Sequence, residues 1–268
     1  MRTIDVTDAA WGTLLALQEG LADLEGGADP VTRVYGPIAG AKGPFVIAQV
    51  GQSLDGRIAT PTGDARDVSG PDGLAHLHRC RALVDAVIVG VTTVTSDDPR
   101  LSVRIVEGRS PVRVVIDCRG DLSGGEGMFH DGGAPVIVFQ SATAPPRTFG
   151  QAEVIRLKED TCGLCTGAIL QALADRGLQR VLVEGGAKTI ARFIEAGHVD
   201  RLHVSVSPII IGSGPSGINF SPIEFLSEAR RPLTEVYSLG SDILFDCDLR
   251  SNPVLGRQGE QVSVANPT

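Results

Sequence analysis

The 268 residues suffice for one large or two small domains, and 42% hydrophobic, 4% aromatic and 21% charged positions make an ordinary globular balance. A net charge of −8 and a pI near 5.1 exclude a nucleic-acid or anionic-membrane binder built on a basic face. Five cysteines (80, 118, 162, 165 and 247) are too few and irregular for a disulfide scaffold, no run of about 18 apolar residues marks a membrane span, and the opening MRTIDVTDAAW carries Asp5 and Asp8 instead of a secretory core, so a reducing cytoplasm is expected.

In chain order, residues 8–24 place Trp11, Leu14, Leu15, Leu17, Leu21 and Leu24 at helical spacing, with Asp8 as candidate cap. A loop rich in Gly, Asp and Pro follows, so residues 1–43 read as an N-terminal helical extension packing on the main domain or on a partner chain. From Pro44 strands and helices alternate. FVIAQV (45–50) is a continuous apolar run, as a strand buried on both faces should be. Residues 70–84 form a helix with Leu74, Leu77, Cys80 and Leu83 on one face and Ser69 as candidate N-cap. DAVIVGV (85–91), VRVVID (112–117), PVIVF (135–139) and EVIRL (153–157) are strands; residues 166–177 are a helix stopped by Gly177. RVLVEGG (180–186) is a strand running into two glycines, residues 187–197 the next helix, and RLHVSVSPIII (201–211) the next strand. SDILFDCDL (241–249) alternates Ile243, Phe245, Cys247 and Leu249 away from its acids, as an edge or hairpin strand would, and the polar tail over 251–268 is expected to fray.

This alternation predicts a three-layer α/β fold on a mostly parallel sheet, with the 44–250 domain binding ligands beyond the carboxyl ends of its strands. The ends of 85–91, 112–117 and 180–186 then share one rim. At Val183-Glu184-Gly185-Gly186-Ala187-Lys188 a buried strand turns into a helix over two glycines. Their backbone can approach a ligand closely, and the helix N-terminus suits a phosphate. A tight βα turn accounts for the glycines equally well, and the pattern is neither G-x-G-x-x-G nor a Walker loop. Glu184 beside an anion site calls for a ligand's N–H groups. The Asp55-Gly56 pair marks either a plain β-turn or a loop over the rim. Thr93 opens a short helix after Gly90, and Pro99 sets a turn after Asp97 and Asp98. Cys162-Gly-Leu-Cys165 lacks a second pair, and His76 and His78, two apart on a helix, point in different directions; the five histidines are expected not to cluster, and no metal site is expected.

Five stretches carry a resemblance: SLDGRIAT, GDARDVSG, LHRCRALVDAVIVGVTTVTSDDPRLSVR, PVRVVIDCRGDL and VLVEGGAKTIARFIEAGHVDRLHVSVSPIIIG. In order and spacing they resemble the pyrimidine reductase of bacterial riboflavin biosynthesis, the C-terminal half of the bifunctional deaminase–reductase RibD, which also occurs in stand-alone form. The resemblance covers about residues 44–250 and lacks the deaminase's His and Cys signature. It implies a dihydrofolate-reductase-like three-layer sandwich, often a homodimer, and NADPH as donor of a hydride to the ribosyl C1′ of a phosphorylated pyrimidine, 5-amino-6-(5-phosphoribosylamino)uracil. It implies cofactor contacts at Gly51, Ser69, Thr93 and Asp97 and a pyrophosphate-binding turn from Gly186 to Arg192, so that Gly185, Gly186, Ala187, Lys188 and Thr189 form the cofactor corner. It implies substrate contacts at Arg81, Leu101, Arg104 and Glu184. No general acid stands out from the residues: Glu184 is the candidate proton donor if burial raises its pKa, and a bound water serves equally well. Arg81 and Arg104 are expected to pinch the substrate's phosphate between two guanidiniums. Cys118 and Arg119, after the 112–117 strand, place a cation where the 2′-phosphate of NADPH would lie. Ala65 and Asp67 stand where the family often has Ser and Trp, which removes an aromatic wall. A pteridine or dihydrofolate-type reductase, or a non-catalytic nucleotide-binding homologue, therefore stays open.

Overall fold

The computed structural model describes residues 1–23, 27–160 and 163–250; the expected frayed tail over 251–268, Leu24 and Cys162 lie outside them. The elements are β1 (Arg2–Thr3), α1 (Asp8–Gln18), α2 (Pro30–Ala39), β2 (Phe45–Ser53), α3 (Pro71–Leu83), β3 (Ala86–Gly90), α4 (Val91–Asp97), β4 (Val112–Ile116), β5 (Val136–Ser141) and β6 (Glu153–Leu157). There follow β7 (Glu159–Asp160), β8 (Gly163–Leu164), α5 (Thr166–Ala174), β9 (Arg180–Glu184), α6 (Ala187–Glu195), β10 (Arg201–Ser207), β11 (Leu233–Ser238) and β12 (Ile243–Asp248).

Ten strands form one sheet in the order β1-β11-β12-β10-β2-β9-β3-β4-β5-β6. Pairing is parallel from β10 through β6 and antiparallel only where β12 meets β10 and β11. Along β2, Phe45 and Ile47 enter one apolar core while Val46, Ala48 and Val50 enter the other. The same two-residue alternation runs through β3, with Val87 and Val89 opposed to Ala86 and Ile88. Helices α1, α2 and α3 cover the first face; α5 and α6 cover the second. This is the expected three-layer α/β architecture on a mostly parallel sheet.

The N-terminal segment differs from its sequence reading. Thr7, not Asp8, caps α1, its side chain accepting from the Ala10 N–H at 3.2 Å. The helix ends at Gln18, before Gly20 turns left-handed at φ +73°. The segment read as a loop contains α2, capped by Asp29 on the Thr32 N–H at 3.0 Å and opened by Pro30. Gly36 and Pro37 disguise it, although Val31, Val34, Tyr35 and Ile38 keep helical spacing and are all buried. These residues share the first core with Trp11, Leu14 and Leu17.

Two further readings are corrected. Helix α3 is capped by Gly70, not Ser69, and the Gly70 N–H donates to Asp242 Oδ1 at 3.0 Å from the β10–β12 region. β12 is a hairpin strand, but β11 and β1 lie outside it, so it is no edge. Its acids are also not the outward set. Asp242 and Asp246 are buried while Phe245 is 37% exposed. Each acid has partners that repay its desolvation: Asp242 accepts from Ser205 and Ser207 Oγ at 3.1 and 2.9 Å, and Asp246 from Arg201 Nε at 2.8 Å.

Candidate active site

β3, β4 and β9 end on one rim. β3 passes directly into α4 at Gly90, and β9 reaches α6 through Gly185 and Gly186, both left-handed at φ +71° and +79°. A side chain at either crossover would collide with the other: a Cβ on Gly90 would lie 2.6 Å from Thr189 Oγ1, and one on Gly185 2.9 Å from Thr93 Cγ2. Close approach thus favours glycine at both crossovers, and at Gly185 and Gly186 the backbone conformation favours it as well. Beside this corner lies a cleft of about 270 Å³, walled by Gly90, Ile116, Cys118, Leu164 and Phe193 and carrying Arg119, Lys188 and Arg192. The Cys118–Arg119 turn is held from below by buried Asp117, which accepts from the Gly120, Asp121 and Leu122 N–H groups and from Gln140. Arg119 itself is 83% exposed and only loosely paired with Asp121 at 3.8 Å. Three cations and the N-terminus of α6 face a space whose one lining acid among the described residues is Asp121, which suits a phosphorylated dinucleotide.

The second group sits at the ends of β9 and α3. Glu184 is 6% exposed and faces Gln49 across the β2–β9 pair. Both its oxygens accept from Arg81, from Nε at 2.7 Å and Nη2 at 2.6 Å, and Arg81 Nη1 donates to Ser102 O at 3.2 Å. Arg81, expected to share a phosphate with Arg104, is buried here, and its charge is answered by Glu184. Arg104 remains exposed and turns to the same residue from the other side, Nη1 donating to Ser102 Oγ at 2.9 Å. Its backbone N–H donates to His78 Nδ1 at 3.0 Å. Burial first, then Arg81 and Arg100, hold the Arg104 pKa below its ordinary value. Positive charge is thus crowded here, and an anion would relieve it.

The remaining predicted positions fall around these two groups. Gly51 and Ser69 meet closely, since a Cβ on Gly51 would stand 2.3 Å from Ser69 Oγ. Thr93 touches the glycine corner. Asp97 ends α4, and burial raises its pKa. Asp98 is left-handed at φ 38° and accepts from the Gly127 N–H at 2.8 Å, so it braces the loop. Leu101 is buried at φ 53°, a conformation that costs a branched residue on the order of 1–3 kcal/mol. It holds the chain between Arg100 and Ser102 in its sharp course. Asp67, standing where the family often has Trp, is exposed and left-handed at φ 62°. The sequence reading missed Asp121, Leu164, Thr166 and Phe193 in the cleft, and His78 beneath Arg104. Leu164 and Thr166 flank Cys165, and only the fold brings that strand-turn to the rim.

Residues 44–245 match the sequence model of a family described as RibD C-terminal domain. The 2,5-diamino-6-ribosylamino-4(3H)-pyrimidinone 5′-phosphate reductase of Methanothermobacter thermautotrophicus is 32% identical over 213 residues, 76% of this chain and 97% of that protein. The riboflavin biosynthesis protein RibD of Bacillus amyloliquefaciens is 29% identical over 226 residues, 82% of this chain and 60% of the relative. Among solved structures, the diaminohydroxyphosphoribosylaminopyrimidine deaminase/5-amino-6-(5-phosphoribosylamino)uracil reductase of Thermotoga maritima superposes with a TM-score of 0.66 at 30% identity, covering 81% of this chain and 61% of that one. The chain thus spans about three fifths of the length of these two longer proteins.

Proposed function

The chain belongs to the RibD C-terminal domain family, and on that premise we propose that it is a reductase that uses NADPH to reduce the ribosyl C1′ of 5-amino-6-(5-phosphoribosylamino)uracil, working as a cytoplasmic homodimer. The observation that carries the reading is the rim cleft of about 270 Å³, in which a glycine corner and the α6 N-terminus meet Arg119, Lys188 and Arg192. Gly185, Gly186, Ala187, Lys188 and Thr189 cradle the pyrophosphate, and Arg119 with Lys188 receives the 2′-phosphate. Gly51, Ser69, Thr93, Asp97 and Cys118 border the nucleotide.

The bound cofactor supplies the hydride; this chain binds, orients and shields. Arg104 takes the substrate's 5′-phosphate, because among the described residues no carboxylate forms an ion pair with it, while Arg81 is paired with Glu184. Arg81 and Glu184 brace each other, and Glu184 offers its remaining lone pairs to pyrimidine N–H groups. Leu101 sets the turn that presents Arg104. Holding both reactants in register is worth up to about 7–11 kcal/mol of barrier in ideal cases.

The test mixes the purified protein with NADPH, with NADH and with the phosphoribosylamino-uracil, following loss of reduced-nicotinamide absorbance. Turnover with NADPH is expected; none with either nucleotide would reject the reading. The Methanothermobacter relative favours a second substrate, the 2,5-diamino-pyrimidinone 5′-phosphate, which carries an amine where the uracil carries an oxygen. Comparing kcat/KM for the two compounds decides between them. A pteridine reductase would turn over dihydrofolate and be indifferent to Arg104.

A further inference from the structure

On the first face of the sheet, away from the cofactor cleft, three ligand-type side chains that the proposed reaction does not use converge, two of them histidines that the sequence reading expected not to cluster. His76 Nε2 and His203 Nδ1 are 3.1 Å apart, and Cys80 Sγ stands 3.6 Å from the first and 3.9 Å from the second. All three residues have no exposed surface. His76 and Cys80 are four apart on α3 and so share a face, while His203 comes from β10. We propose that His76, Cys80 and His203 bind a zinc ion that ties α3 to the sheet.

The spans support it. Zinc bound at about 2.0–2.1 Å to nitrogen and about 2.3 Å to sulfur in a tetrahedron separates two nitrogens by about 3.3 Å and nitrogen from sulfur by about 3.6 Å. The observed triangle is close to that one on all three sides. One outer nitrogen is hydrogen-bonded as a metal-bound imidazole requires, and the other has a carboxylate beside it. His76 Nδ1 meets Tyr35 Oη at 2.8 Å; His203 Nε2 makes no hydrogen bond, but Asp246 Oδ1, on a carboxylate held by Arg201, stands 3.3 Å away. Two neutral imidazoles and one thiolate are a borderline-soft set that suits zinc; the Cys80 proton leaves to solvent on binding. Water or hydroxide completes the tetrahedron, as in other three-ligand sites, and hydroxide leaves the buried centre neutral.

The rival arrangement is a metal-free relay in which Tyr35, His76 and His203 share hydrogen bonds beside Asp246. It explains the nitrogen–nitrogen contact but asks nothing of a sulfur facing both nitrogens. Cys80 immediately precedes Arg81, so zinc at Cys80 would also fix the start of the Arg81–Glu184 pair.

The experiment measures metal in the full chain purified without chelator or polyhistidine tag. About one equivalent of zinc per chain is expected, with X-ray absorption showing one sulfur at about 2.3 Å and two imidazole nitrogens at about 2.0–2.1 Å. Cys80→Ser and His203→Gln, where folded by circular dichroism, should lose at least nine tenths of it. Zinc below about a tenth of an equivalent, together with no thiolate-to-cobalt absorption when the unfolded wild type is refolded with Co²⁺, leaves only the relay and overturns the proposal. A two-sulfur shell, or full zinc in a folded Cys80→Ser protein, assigns the ion to other cysteines and overturns it too.

Discussion

Arg81 and Arg104 lie on either side of Ser102, yet their surroundings give them different tasks. Arg104→Ala removes an exposed guanidinium from a positively crowded spot. It should raise KM for the phosphorylated substrate about ten- to hundred-fold, the equivalent of about 1.5–3 kcal/mol, with Tm unchanged. Steady-state kinetics checks this; an unaltered KM would place the phosphate elsewhere. Glu184→Gln instead leaves the Arg81 charge buried without its counter-charge, and should cost on the order of 3 kcal/mol in urea unfolding with an unchanged m-value. The double change Arg81→Met/Glu184→Leu should recover most of that stability and none of the activity. If it recovers neither, the pair's packing rather than its charge is what matters. The sequence marked Arg81, Arg104 and Glu184 as one group. It did not show that two of them pair, because residues 103 apart in the chain reveal no bond until the strand and the helix are docked.

At the scale of elements, the two loops over the rim are pinned by one exposed acid. Asp55 accepts from Ser53 Oγ, from the Ile211 N–H at 3.1 Å and from the Gly212 N–H at 2.6 Å, so the turn after β2 holds the loop after β10. The Ser53 hydroxyl, then the backbone donors, lower its pKa to about 2. A folded-state pKa depressed below the unfolded value of about 3.9 contributes stability that is present above that value and lost as pH falls toward 2. The amide protons of Ile211 and Gly212 should therefore titrate together in NMR spectra with a midpoint near 2. A midpoint near the free-carboxylate value would mean that the clamp does not form in solution. Asp-Gly announced a turn here, but what the turn holds belongs to the loop after β10, about 150 residues later.

For the whole molecule, the conspicuous surface is apolar. Ile210, Phe225, Leu226 and Leu233 are 78%, 58%, 79% and 65% exposed, on the segment between β10 and β11 and the start of β11. Large exposed apolar groups gathered on one stretch mark an interface more often than free surface. The protein should run as a dimer of two 28.0 kDa chains in light scattering, and Ile210→Glu/Leu226→Glu should convert it to monomer while leaving the unfolding of the core intact. A wild-type monomer at micromolar concentration would sink the dimer.

The order and type of the central strands and the later helices were legible in the chain, because burial on two faces imposes continuous apolar runs and burial on one face imposes helical spacing. The glycine corner was legible too, since only glycine tolerates both its backbone angles and the approach of Thr93 and Thr189. Helix α2 was not, because Gly36 and Pro37 contradict local propensity and only packing against Trp11 and the sheet outweighs them. Nor were the buried acids in and just before β12, whose cost is met by partners on β10 and at the N-cap of α3. The sequence by itself determined which segments could form a parallel α/β sheet and which residue types its rim would carry. Only the tertiary structure decided which charges are paired and which remain open, because pairing depends on distances between elements far apart in the chain.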